Sequence, residues 1–133
     1  QDVIIKAAAV ADFRPQTTAN EKVKKTGEDN LSIPLARTQD ILKYLGEHKP
    51  KGQFLCGFSM ETENMIENSK KKLENKHLDL IACNNLKDEG SGFIVGTTKL
   101  TRISSDDEIV LPLLDKTAAA HRLLDEIVLR RKA

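Results

Sequence analysis

Gln53-Phe54-Leu55-Cys56-Gly57-Phe58, then Met65, Ile66, Ser69 and Leu73 at helical spacing, then Leu78-Asp79-Leu80-Ile81-Ala82-Cys83 decide the fold. Two apolar runs of strand length flank an amphipathic helix predicted over Glu61 to Lys76. A strand, a helix and a strand in that order form a crossover unit with parallel strands. In such a sheet ligands sit beyond the carboxyl ends of the strands. Asp12, residues 58 to 62 and Asn84-Asn85 are therefore the positions to inspect.

Upstream, Val3-Ile4-Ile5-Lys6-Ala7-Ala8-Ala9-Val10-Ala11 is nearly continuous in apolar residues and predicts another strand, covered on both faces. No turn, cap or linker precedes Gln1, so further sequence is expected before it. Arg14 to Asn30 is polar, carries Pro15, Gly27 and Glu21-Lys22-Val23-Lys24-Lys25, and reads as a long loop, expected to be a mobile flap over 14–30. Leu31-Ser32-Ile33-Pro34-Leu35 alternates with period two, and Pro34 confines that strand to a sheet edge or a strand end. Thr38 is expected to cap a short helix through Asp40 to Leu45, with Asp40 near the positive end of its dipole and Gly46 near its end.

Downstream, Asn84-Asn85-Leu86-Lys87-Asp88-Glu89-Gly90 ends the Leu78 strand. After Phe93, strands around Lys99 to Ile103 and Ile109 to Leu113 are joined by Ser104-Ser105-Asp106-Asp107 as a hairpin. Lys116 to Arg131 predicts a helix with Ala120, Leu123, Leu124, Ile127 and Val128 on one face. The expected architecture is one α/β domain over 1–133: a mainly parallel sheet with flanking helices and a late antiparallel hairpin.

Composition narrows the function classes. The 133 residues are 39% hydrophobic and 31% charged, enough apolar content for a folded core. The formal charge of +1 lacks the basic excess that nucleic-acid binding uses, and only one Tyr and four Phe are available for base stacking. The longest apolar run, Ala7 to Ala11, is far too short to span a bilayer, and no signal peptide opens the chain, so a cytoplasmic protein is expected. Cys56 and Cys83 lie inside apolar runs and are expected to be reduced core residues. His48, His77 and His121 form no ligand pattern, so no resident metal is expected and any metal arrives with a substrate.

Four groups of residues could carry chemistry, each with a plainer alternative. The alanines before Asp12 leave backbone amides and carbonyls uncovered for a flat base, or are a closely packed strand with Asp12 opening a turn. Lys22, Lys24 and Lys25 suit a flap that closes on an anion, or a solvated basic loop. Lys72 and Lys76 would present two ammonium groups near a helix end, or a solvated face favoured by the dipole. Glu61 and Glu63, two apart on the predicted helix, do not share a face as a catalytic pair would. No GxGxxG or GxxxxGK[ST] loop is present among the seven glycines.

The order and spacing of Ala8-Ala9-Val10-Ala11-Asp12-Phe13, Glu21-Lys22-Val23-Lys24-Lys25, Asp40-Ile41-Leu42, Gly57-Phe58-Ser59-Met60-Glu61-Thr62 and Leu78-Asp79-Leu80-Ile81-Ala82 closely resemble phosphopantothenate-cysteine ligase, from about Val3 to Arg130. The resemblance implies a Rossmann-like fold and an enzyme of coenzyme A biosynthesis. Such an enzyme uses CTP, with ATP the lesser alternative, and Mg2+ to turn 4'-phosphopantothenate into an acyl cytidylate that L-cysteine attacks. It also implies a homodimer, an upstream half with a Gly-rich turn and a Ser-Ser-Gly segment, and often a fused flavin-dependent decarboxylase. No flavin is expected in this chain itself, which alone is expected to be inactive.

By matching position, the backbone of Lys6, Ala7 and Ala8 looks like the part that meets the nucleotide, with Ala8 and Ala9 beside the acyl group and Asp12 holding ribose or substrate. Lys22 matches the catalytic flap lysine, while Ala36, Arg37, Thr38, Gln39 and Phe58 resemble nucleotide contacts. Lys72 and Lys76 fall where a pair of helix lysines grips the triphosphate. Gln39, Ser59-Met60, Asn85 and Thr98 depart from the usual Pro, Ala-Ala, Asp and Asn. A non-catalytic nucleotide-binding module of the same fold is the alternative.

Overall fold

The computed structural model describes residues 1–24, 27, 32–85 and 96–132. Lys25, Leu31, residues 86–90 and Phe93, and the expectations placed on them, lie outside the described residues. In chain order the elements are β1 (Val3–Lys6), β2 (Phe13–Pro15), β3 (Leu35–Arg37), α1 (Ile41–His48), β4 (Phe54–Glu61) and α2 (Met65–Asn75). They continue as β5 (Leu80–Asn85), β6 (Thr97–Thr98), β7 (Leu100–Ile103), β8 (Glu108–Val110), β9 (Leu114–Asp115) and α3 (Lys116–Lys132). Two compact units divide the chain: residues Gln1–Ala7 with Leu42–Ala133, and residues Ala8–Ile41.

The larger unit is built on a five-stranded sheet in the order β1-β4-β5-β7-β8. β1, β4 and β5 are parallel, and the β7–β8 hairpin adds antiparallel beyond β5, the Rossmann-like arrangement expected. Alternation along β4 and β5 divides the core between two faces. Leu55, Ile81 and Cys83 pack with Leu42 of α1 and Leu73 of α2 on one. Phe54, Cys56, Leu80 and Ala82 pack with Leu123 and Ile127 of α3 on the other. Both cysteines are free and buried, and burial pushes the Cys56 thiol up to about 12.

Two glycines are required by close approach. A Cβ on Gly57 would lie 2.8 Å from Leu42 Cδ2 and 2.9 Å from Leu78 Cδ1, so these two leucine side chains fill the space over β4 that a larger residue would take. A Cβ on Gly46 would lie 1.8 Å from the Lys76 carbonyl oxygen. Gly46 is therefore a close contact within the last turn of α1, near the helix end as expected, and the helix runs on to His48.

Several other boundaries differ from expectation. β1 ends at Lys6 and is an edge strand among the described residues, with Ile5 38% exposed, because the alanines that follow have little apolar area and weak strand preference. β4 continues to Glu61, so the predicted helix starts four residues later at Met65, after Asn64 at φ 49°. The β4–β5 ladder reaches Glu61↔Asn85 and holds those residues extended. On α3 the buried stripe is Ala119, Leu123 and Ile127, while Leu124 and Val128 of the parallel stripe are 46% and 50% exposed. Thr97–Thr98 paired with Leu114–Asp115 was not anticipated.

In the smaller unit β2 and β3 pair antiparallel, Phe13↔Arg37 through Pro15↔Leu35. Arg14 and Pro15 thus belong to a ribbon and not to a loop, and the partner strand is Leu35–Arg37, displaced from the expected 31–35. Pro34 lies just outside it and uses its carbonyl to accept the Gln16 amide at 2.9 Å.

Candidate functional site

The carboxyl ends of β1, β4 and β5 bring together three stretches of the larger unit. Lys6 pairs with Gly57, so Ala7 and Phe58 are the residues that follow the paired ends. β4 then runs alongside β5 from Cys56↔Leu80 to Glu61↔Asn85. Asn84 Oδ1 is buried there with no hydrogen-bond partner among the described residues.

Lys72 leaves α2 and turns back to this edge. Its Nζ donates to Glu61 Oε1 at 2.5 Å and to Ser59 Oγ at 3.1 Å. Ser59 Oγ donates in turn to Glu61 Oε1 at 2.9 Å, and Asn68 Nδ2 reaches Glu61 Oε2 at 3.4 Å. Partial burial pushes the Glu61 carboxyl up, but the hydrogen bonds from Lys72, Ser59 and Asn68 and the Lys72 charge outweigh it and hold the pKa below the usual value. Lys76 is the first residue beyond α2; its amide donates to the Lys72 carbonyl at 3.1 Å and its own carbonyl lies against Gly46.

In the smaller unit Thr38 does not cap α1. Its hydroxyl donates to the Ala11 carbonyl at 2.5 Å and its amide to the Asp12 carbonyl at 2.9 Å, so Ala11-Asp12 and Thr38 are pinned together at the open end of the ribbon. The expected capping role fails because α1 starts at Ile41, beyond the reach of the Thr38 side chain that is committed to Ala11. The Arg37 guanidinium lies 5.5 Å from the Phe13 ring centroid, and Ala36 pairs with Arg14. Ala8, Ala9, Asp12, Lys22 and Gln39 are exposed.

The structure therefore groups Lys6, Ala7 and Phe58 at one strand end, and Asp12, Ala36, Arg37 and Thr38 at one ribbon. Ser59, Glu61 and Asn68 were missed as partners of Lys72. Reading Glu61 as helical hid them: two residues apart diverge on a helix but share a face on a strand. The β-branch-poor but alternating Phe58-Ser59-Met60-Glu61 was the available signal.

The family model described as DNA/pantothenate metabolism flavoprotein C-terminal domain matches residues 1–130. The chain belongs to this family. Another member-like relative, the coenzyme A biosynthesis bifunctional protein CoaBC of Bacillus subtilis, is 42% identical over 95% of the chain and 31% of its own length. CoaBC of Escherichia coli K12 is 38% identical over 98% of the chain and 32% of its own length. A protein named cysteine/cysteine sulfinic acid decarboxylase, from an unknown prokaryotic organism, is 45% identical over 81% of the chain and 30% of its own length. The chain spans about a third of the length of these curated relatives.

Among solved structures, the C-terminal domain of CoaBC superposes on this DNA/pantothenate metabolism flavoprotein C-terminal domain with TM-score 0.76 at 37% identity, covering 98% of the chain and 55% of the other. The Streptococcus pneumoniae DNA/pantothenate metabolism flavoprotein shares the fold at TM-score 0.69 and 21% identity, covering 99% of the chain and 62% of the other. No helix among the described residues is long and apolar enough to cross a membrane.

Proposed function

We propose that this chain supplies the nucleotide site of a phosphopantothenate-cysteine ligase, which joins 4'-phosphopantothenate to L-cysteine in coenzyme A biosynthesis through an acyl cytidylate. The observation that carries this reading is the likeness to the CoaBC C-terminal domain along 98% of the chain. The lysine held at the carboxyl ends of the parallel strands supports it, since that is where α/β sheets bind ligands.

In this reaction the phosphopantothenate carboxylate attacks the α-phosphorus of CTP and pyrophosphate leaves. The cysteine amine then attacks the acyl carbon, loses a proton, and CMP leaves. The first step brings two anions together, so its barrier falls wherever fixed cations meet the phosphates. Lys72 and Lys76 take the triphosphate in this reading. Lys22 adds charge from the segment after β2, the backbone at Lys6 to Ala8 receives the base, and Phe58 covers it. Ala8 and Ala9 leave room for the acyl group, Asp12 takes a ribose hydroxyl or substrate, and Ala36, Arg37, Thr38 and Gln39 complete the nucleotide contacts.

Magnesium supplies charge neutralisation on the triphosphate. In this reading the ion arrives with the nucleotide, as a triphosphate chelate. The proposal further includes a cytoplasmic homodimer, an upstream half of the ligase and a fused flavin-dependent decarboxylase. Exposed Phe13, Val23, Ile33 and Leu35 on the smaller unit give such partners apolar surface to cover.

Calorimetric titration of the natural full-length protein with CTP and with ATP, each with Mg2+, tests the reading. CTP-selective binding that Lys72→Ala with Lys76→Ala abolishes is expected, together with CTP-dependent formation of 4'-phosphopantothenoylcysteine. Absence of either overturns it.

A further inference from the structure

We infer that Glu61 is a positioning residue that holds the Lys72 ammonium ready for a nucleotide triphosphate; the inference rests on the reading of Lys72 given above. Glu61 is the last residue of β4, its side chain is 16% exposed, and the pairing with Asn85 fixes its backbone. Its carboxylate is approached by Lys72 and Ser59 at Oε1 and by Asn68 at Oε2. Asn68 lies one turn before Lys72 on α2 and is itself tied to the Glu63 carbonyl at 3.2 Å. Strand and helix thus fix the carboxylate together.

An ammonium group has three N–H donors. Among the described residues Lys72 commits one to Glu61 and one to Ser59, which leaves a third for a ligand. Its side chain remains 42% exposed, so the head can still be reached. A free lysine gives up rotamer freedom when it binds; Lys72 has already given it up. A carboxylate that merely competed with phosphate for Lys72 would have the opposite effect on affinity, and the two roles are separable by the sign of the change.

The test uses the natural full-length protein, titrated calorimetrically with Mg·CTP and with CMP, alongside kcat and KM for CTP. Glu61→Asp keeps the charge but withdraws it by a methylene, and about tenfold weaker Mg·CTP binding with CMP nearly unchanged is expected, as for a lost charge-assisted bond. Glu61→Gln keeps an oxygen for Lys72 and Ser59 and should stay within about threefold of the parent. The loss appears in KM more than in kcat, and Glu61→Asp has no further effect in a Lys72→Ala background.

Unchanged or tighter Mg·CTP binding in Glu61→Asp, tighter binding in Glu61→Gln, or equal losses for CMP and Mg·CTP would overturn the inference. If Lys72→Ala alone leaves Mg·CTP binding intact, the reading of Lys72 falls and takes this inference with it. If Lys72→Ala weakens binding and Glu61→Asp does not, only the inference falls. Should Glu61→Asp fail to fold, Asn68→Ala replaces it: about threefold weaker Mg·CTP binding with CMP unchanged is expected, and no loss overturns the inference.

Discussion

Arg102 on β7, with its side chain 7% exposed, is ion-paired to Asp107 in the hairpin turn that leads into β8. The same guanidinium reaches Glu126 on α3 at 3.1 Å, and Arg130 on α3 bonds back to Asp107 at 2.6 Å and to Glu126 at 2.7 Å. The hairpin is thereby tied to the helix through charges that satisfy one another, an arrangement that is costly to break from one side. Arg102→Ala is expected to destabilise the chain by about 3 kcal/mol, measured by urea unfolding.

Acid should release the same link. Hydrogen bonds from Arg102 and Ser104, with the Arg102 and Arg130 charges, hold the Asp107 carboxyl well below its ordinary value of 3.8. A depressed folded-state pKa contributes stability that is fully present above the unfolded value and is lost as pH falls below it. Urea midpoints recorded downward from pH 5 should fall more steeply for the parent than for Asp107→Asn. Parallel curves would remove Asp107 from this role.

Gly46→Ala sets two effects against each other. Alanine gains about 1 kcal/mol of helix propensity over glycine. The new Cβ would overlap the Lys76 carbonyl oxygen at 1.8 Å, and a backbone atom cannot rotate away. Net destabilisation of about 2 kcal/mol or more is expected from forced displacement of α1. A thermal midpoint equal to or above that of the parent would contradict this packing.

Neighbouring leucines on α3 should respond differently. Leu123 is 5% exposed and packs on the sheet, whereas Leu124 is 46% exposed. Truncating Leu123 to alanine should cost about 2 to 5 kcal/mol by transfer and cavity terms. Leu124→Ala should stay within about 0.5 kcal/mol in the isolated chain. Equal losses would mean that the buried stripe lies elsewhere.

The two thiols should be inert in the folded protein. Burial raises both, Cys56 to about 12, and the reactive thiolate is scarce near pH 8. Titration with a disulfide reagent should show both thiols only after guanidinium unfolding. Fast labelling of the native chain would mean frequent opening of the sheet.

Much of the architecture is local and was legible. Val3 to Lys6, Phe54 to Phe58 and Leu80 to Cys83 are mostly apolar runs of strand length, and the 104–107 turn marks the hairpin. Of the ribbon, Arg14 and Pro15 read as the start of a loop and the partner strand was expected at 31–35 and not at Leu35–Arg37, since strands of three residues are too short for a pattern to fix their bounds. Of the candidate site, the lysines and Asp12 were named from motif order, while the partners that orient Lys72 were not.

The sequence by itself determined the main strands and helices of the larger unit, their order, and the family to which the chain belongs, because periodicity and motif spacing are properties of neighbours along the chain. Only the tertiary structure decided that Glu61 ends a strand and meets Lys72, that Ala119, Leu123 and Ile127 are the buried stripe of α3, and that Thr38 holds Ala11 and Asp12. Each depends on where a ladder stops or on which side of a helix a sheet lies. Those are set by contacts between residues distant in sequence, and local pattern carries no record of them.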